Sequence, residues 1–258
     1  MNSRSAQLAA YDRLLTIMDE LRTQCPWDKK QTMESLRYLT IEETYELGEA
    51  ILDNDLEEVK KELGDLLLHI VFYARIASET GDFDMGDVAN DICDKLIRRH
   101  PHIYGDTKVV GEEEVKANWE KIKLQEGKKS VLEGVPKSLP SLVKANRIQE
   151  KVAGVGFDWE EPGQVLDKVH EELGELQEAM ALDQPDKVEA ELGDVLFSLV
   201  NYARFLGINP ENALERTNTK FINRFVFLES RAQEAGKKLS EMSLAEMDLH
   251  WEAAKKKE

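Results

Sequence analysis

Along the second half of the chain, apolar residues recur at alternating steps of three and four. Leu166, Val169, Leu173, Leu176 and Met180 trace one stripe, and Val188, Leu192, Val195, Leu199 and Leu206 trace another. That spacing predicts two amphipathic helices, each turning one face toward a core. Between them Asp183-Gln184-Pro185-Asp186 reads as a short turn, with Pro185 placed to open the next helix, where its missing N–H is no loss. So short a connection makes the two helices antiparallel neighbours. The same reasoning predicts helices from about Leu8 to Leu21, Leu142 to Val152, Val88 to Arg99 and Ala213 to Ala235, and no segment reads convincingly as a strand.

The pattern occurs twice. Glu62 to Arg75 aligns with Glu191 to Arg204, and nine of the fourteen positions are identical. Upstream, Glu42-Glu43-x-x-Glu46 matches Glu171-Glu172-x-x-Glu175 at the same offset of 129 residues. A register kept across both motifs and the segment between them points to a duplicated helical module. In the first copy Asp53-Asn54-Asp55 takes the place of the turn. Gly127 to Pro140, with Gly134, Pro136 and Pro140 and few periodic apolar residues, reads as the linker. The expectation is therefore an all-α tandem duplication: residues 1–127, a linker at 128–140, and residues 141–258.

Composition narrows the function. With 41% hydrophobic and 33% charged residues, the chain has the balance of a folded protein. No run approaches the ~20 apolar residues of a membrane helix. Met1 to Ala10 shows no signal-peptide pattern, and two cysteines make no disulfide framework, so a reduced cytoplasmic setting is expected. A net charge of −17, without a compensating basic stripe, argues against nucleic acid as a partner. Small polyphosphates stay in play where metal ions bridge the two negative partners.

Glu172 and Glu175 are three residues apart, as are Glu191 and Asp194, and that spacing stacks side chains on one helix face. If the two helices pack antiparallel, four carboxylates converge on one volume. Their mutual repulsion makes a cation the natural occupant, and hard oxygen donors suit Mg²⁺. The competing reading is a solvated acidic face, which a lone Glu-x-x-Glu usually is. Recurrence of both motifs at one offset weighs against it. So do Gly64 and Gly193, since glycine inside a helix costs ~1 kcal/mol and usually marks close backbone approach. A di-iron bundle would need Glu-x-x-His motifs. His170 precedes the acidic run and His69 has Ser198 as its counterpart, so both read as core or helix-surface histidines.

These motifs resemble the signature of the MazG family of nucleoside triphosphate pyrophosphohydrolases. Cys25-Pro26-Trp27-Asp28, Arg98 to Asp106 and Gly156-Phe157-Asp158-Trp159 are similar to stretches of its two-domain members. The resemblance implies an all-α bundle completed by a partner chain in a homodimer, and Mg²⁺-dependent cleavage of nucleoside triphosphates to monophosphates and pyrophosphate. It implies metal ligands at Glu172, Glu175, Glu191 and Asp194, and at Glu43, Glu46, Glu62 and Asp65 in the first copy. Glu171 or Glu172 would orient or deprotonate the attacking water. Lys168, Lys187, Lys220, Arg224, Trp251 and Lys255 would bind substrate, with Lys95, Arg99, Trp119 and Lys123 as first-copy candidates.

Independently, Lys220 with Arg224 and Trp251 with Lys255 are i, i+4 pairs suited to phosphate oxygens and to a base or ribose. The copies differ, because Leu39 stands opposite Lys168 and Glu58 opposite Lys187. The second copy is thus expected to carry the main activity, with the first weaker, more selective or regulatory. Alternatives are a non-catalytic nucleotide sensor, a helical interaction protein, or a narrower dUTPase-like or phosphoribosyl-ATP pyrophosphohydrolase activity.

Overall fold

A computed structural model describes residues 1–126, 130–182 and 184–256, which form helices joined by turns, with no strand among them. The opening residues of the expected linker (127–129) and Asp183 of the expected turn lie outside the described residues. The chain divides into two compact units, Met1–Val109 and Val110–Glu258. The all-α duplication read from the sequence holds.

The first unit contains α1 (Arg4–Gln24), a 3₁₀ turn at Asp28–Lys30, α2 (Met33–Leu52), α3 (Leu56–Ser78), α4 (Met85–Arg99) and the single turn α5 (Pro101–Tyr104). Met18, Leu36, Val71 and Phe72 are its fully enclosed centre, drawn from α1, α2 and α3. Three residues join α2 to α3. Asn54 sits there at φ 57°, a left-handed conformation that Asn tolerates better than most residues. Asp55 caps α3 by accepting the Glu57 and Glu58 N–H groups, both at 3.1 Å. The Thr40 and Tyr73 hydroxyls meet at 2.6 Å and tie the hairpin together. The Cys-Pro-Trp-Asp segment is held to α1 by Arg22, whose guanidinium donates to the Asp28 carbonyl and, at 3.0 Å, to that of Gln31.

The second unit holds α6 (Glu112–Gln125), α7 (Ser141–Ala153), α8 (Pro162–Ala181), α9 (Pro185–Phe205), α10 (Pro210–Glu234) and α11 (Leu244–Lys255). Helices α8 and α9 form its hairpin, and proline occupies the first turn of both, as it does in α10. The buried Gln149 donates to the Phe197 carbonyl at 2.8 Å, fixing α7 against α9. Asp158 grips Arg204 with both oxygens, at 2.9 and 2.5 Å, so the Gly-Phe-Asp-Trp loop is anchored to the end of α9.

One expectation fails within the chain. The stripes on α8 and α9 are only partly covered: Val169 and Val195 are buried, but Met180 is 63% exposed and Leu192 48%. Gly64 and Gly193 make no close approach either, since a Cβ at either would meet nothing within 4 Å. Periodicity identifies an apolar face without saying which chain covers it.

Candidate functional site

The hairpin geometry brings carboxylates from both helices together in each copy. Oxygen atoms of Glu43, Glu46 and Glu62 lie within 4.8 Å of one another, and so do those of Glu172, Glu175 and Glu191. Each trio takes two residues from the first helix of its pair and one from the second. Asp65 and Asp194 stand one turn further along, exposed and outside these groupings. Asp65 still repels Glu46, contributing to the upward push on its pKa, which comes first from desolvation and then from Glu43 and Glu42.

In the second copy Glu172 is buried and the Glu191 side chain is 12% exposed, whereas Glu175 faces solvent. The Glu191 charge, ahead of desolvation and Glu172, raises the Glu175 pKa. Lys168 offsets part of this repulsion. Its Nζ lies 2.8 Å from Glu172 and 2.9 Å from Glu171, and these hydrogen bonds, Glu172 first, raise its own pKa. Lys187 reaches Glu191 at 4.0 Å. Two cations thus border this cluster on one hairpin.

The first copy has no such counterweight at those positions. Glu62 is buried, and its pKa is pushed up to about 7, chiefly by desolvation, then by a hydrogen bond with Glu58 and repulsion from Glu46 and Glu43. Its Oε2 is enclosed without a hydrogen-bond partner. These features fit a divalent cation. Only hard oxygens are offered, they repel one another, and a buried acceptor among them is unsatisfied. The histidines take no part in either trio: His69 is buried in α3 and His170 lies exposed on α8.

The substrate-binding candidates fall on the flanking helices. Lys220 and Arg224 lie on α10, Trp251 and Lys255 on α11, and these two helices pack together. Arg224 lies 5.8 Å from the Trp251 ring centroid, within cation–π range. Phe221, absent from the sequence-based set, meets the same indole at 4.9 Å with planes tilted by 60°. It precedes Arg224 by three residues, and that spacing was the available signal. Lys255 pairs with Glu252 at 2.6 Å. Lys95 and Arg99 end α4 in the first unit. Trp119 and Lys123 lie on α6, in the second unit, with Lys123 Nζ 5.3 Å from the Trp119 ring centroid.

The chain was compared with known proteins. Residues 31–104 and 160–226, together more than half of the chain, match the model of the MazG nucleotide pyrophosphohydrolase domain. The two matches begin 129 residues apart, the offset of the internal repeat. A protein of Escherichia coli K12 named nucleoside triphosphate pyrophosphohydrolase is 44% identical over 256 residues, covering 96% of this chain and 97% of its own length. A Thermotoga maritima protein named nucleoside triphosphate pyrophosphohydrolase/pyrophosphatase MazG is 45% identical over 250 residues, 95% of each chain. Bacillus subtilis YabN is 47% identical over 250 residues, 94% of this chain but 51% of its own.

Proposed function

This chain belongs to the MazG family of nucleotide pyrophosphohydrolases, and we propose that it hydrolyses nucleoside triphosphates to monophosphates and pyrophosphate with Mg²⁺ at the α8–α9 carboxylates. The observation that carries this reading is the trio Glu172, Glu175 and Glu191, gathered within 4.8 Å and bordered by Lys168. Those three residues would hold the metal, with Asp194 one turn beyond Glu191 as the fourth candidate ligand. When bound, Mg²⁺ supplies charge neutralisation on the phosphoryl groups and a more acidic water.

The chain's own residues do the rest. Lys168 is kept protonated by Glu172 and Glu171, so it is a fixed positive charge for a phosphate oxygen. Glu171, 57% exposed beside it, or Glu172 would orient the attacking water or accept its proton. Lys220 and Arg224 present two cations on one face of α10, and Trp251 with Phe221 offers aromatic surface to the base. The half-covered α8 and α9 faces support a homodimer. In the first copy Glu43, Glu46, Glu62 and Asp65 would hold metal, while Leu39 and Glu58 replace the two lysines. The second copy is thus the main site.

Pyrophosphate release from a panel of nucleoside triphosphates, dUTP and phosphoribosyl-ATP included, tests this reading. Release requires Mg²⁺ and stops with a chelator. Glu172→Gln lowers kcat/KM by more than about 100-fold, beyond the ~10–100-fold typical of partners one step removed from a metal. Unchanged turnover in a folded Glu172→Gln protein sinks the mechanism.

A further inference from the structure

The substrate-binding candidates on α11 stand beside a carboxylate that no step above uses. Trp119-Glu120-x-x-Lys123 in the first copy and Trp251-Glu252-x-x-Lys255 in the second share tryptophan, glutamate and lysine at an offset of 132 residues. The acid is thus repeated along with the aromatic and the cation. One such glutamate is what a solvated helix face usually carries. Its recurrence beside the lysine weighs against that reading, because a fixed negative charge there opposes the approach of a polyphosphate.

Glu252 accepts a hydrogen bond from Lys255 Nζ at 2.6 Å, and both side chains stay open to solvent, 59% and 41% exposed. Arg224, from α10, lies over the neighbouring Trp251. The Lys255 hydrogen bond, joined by the charges of Lys255, Lys256 and Arg224, outweighs desolvation and holds the Glu252 carboxyl below its ordinary range. Two candidate phosphate-binding cations therefore act on one carboxylate. Lys168 and Lys187 also pair with acids, but Glu172 and Glu191 belong to the metal trio. Glu252 lies outside that trio, so its charge is not spent on a metal.

We propose that Glu252 is the resident counter-ion of the substrate site, a carboxylate that holds Lys255 in place of a phosphate and is displaced when substrate arrives. Its exposure suits the role. An exposed ion pair shifts an equilibrium by no more than about fivefold, so a phosphate, with roughly two charges and more acceptor oxygens, outcompetes it. The pair lowers affinity for every ligand that must break it. A neutral nucleoside brings no anion and leaves the pair closed, whereas a nucleotide opens it. The inference rests on the reading that Lys255 and Arg224 bind substrate phosphates, and it adds the group that Lys255 gives up.

The test is a calorimetric titration of the full-length chain with α,β-methylene-ATP and Mg²⁺, the bridging carbon blocking cleavage. Glu252→Gln keeps the size and helix propensity of the side chain and tightens binding roughly two- to fivefold. Lys255→Met weakens binding, and adding Glu252→Gln to it brings no further gain, because no ion pair is left to break. Unchanged or weaker binding by Glu252→Gln overturns the proposal. So does a gain that persists without Lys255, which would reflect only the loss of a negative charge. Lys255→Met binding like the parent, or a parent that takes up no analogue, overturns it too. Pyrophosphate release is scored separately. If Glu172→Gln abolishes release while the Glu252 and Lys255 variants bind as the parent does, the counter-ion falls and the proposed activity stands.

Discussion

Lys168 is the side chain that most separates the two copies. It makes two charge-assisted hydrogen bonds, to Glu171 and Glu172, and its place in the first copy is taken by Leu39. Removing it has two consequences. The buried Glu172 loses the counter-charge it pairs with, and a phosphate oxygen loses a fixed cation. Hydrogen bonds to charged groups contribute ~1.5–3 kcal/mol, so Lys168→Ala should lower kcat/KM roughly 10- to 150-fold. The loss falls mainly on KM if Lys168 binds ground state and transition state alike, and on kcat if the contact strengthens at the transition state. Initial rates across a substrate series separate these, and a variant with parental kcat/KM would remove Lys168 from the site. Installing lysine at Leu39 does not repair the first copy, because Glu58 still stands opposite Lys187.

At the level of elements, α11 carries Trp251 and is secured at its start by a capping box. Ser243 accepts the Glu246 N–H while Glu246 accepts that of Ser243, and Lys237 reaches the same carboxylate at 2.6 Å. The Lys237 hydrogen bond, then those from Ser243, push the Glu246 pKa down to about 2 from an ordinary 4.5. A depressed carboxylate contributes stability that is complete above its unfolded pKa and disappears as pH falls through its folded one. Thermal unfolding should therefore place the parent above Glu246→Gln at pH 6, with the gap closing between about pH 4.5 and pH 2. A gap independent of pH would show that the carboxylate charge does not hold α11. Ser-x-x-Glu is the local signature of such a cap, although α11 is not among the helices read from the sequence. The α2–α3 and α8–α9 hairpins were legible, as periodicity and turn chemistry are local. The docking of Trp251 beneath Arg224 and Phe221 was not, because it joins residues 27 and 30 positions apart across a turn. Nor does spacing say how far along α3 and α9 the tight carboxylate groups extend: Glu62 and Glu191 join them, while Asp65 and Asp194 stand outside.

For the whole molecule, the decisive quantity is uncovered surface. Part of it is apolar and lies on α9, a helix that carries the carboxylates: Leu196 is 53% exposed, Phe197 42% and Leu199 44%. Gly193 precedes Leu196 and Phe197 by three and four residues, which sets it on the same side of α9. Glycine there costs helix stability, and open space surrounds it within the chain. A second copy of the chain lying against that face would account for both facts. Sedimentation equilibrium should accordingly give about twice the 29.4 kDa chain mass. Gly193→Leu then separates the two explanations of the glycine. In a protein that stays monomeric the substitution only improves the helix, by up to ~1 kcal/mol. In a dimer packed on that face the added side chain collides with the partner, so the mass falls toward that of one chain while the isolated helix gains stability. A 29.4 kDa species for the unsubstituted protein at tens of micromolar would refute the dimer. A Gly193→Leu protein that remains fully dimeric would place the interface on another face of the molecule.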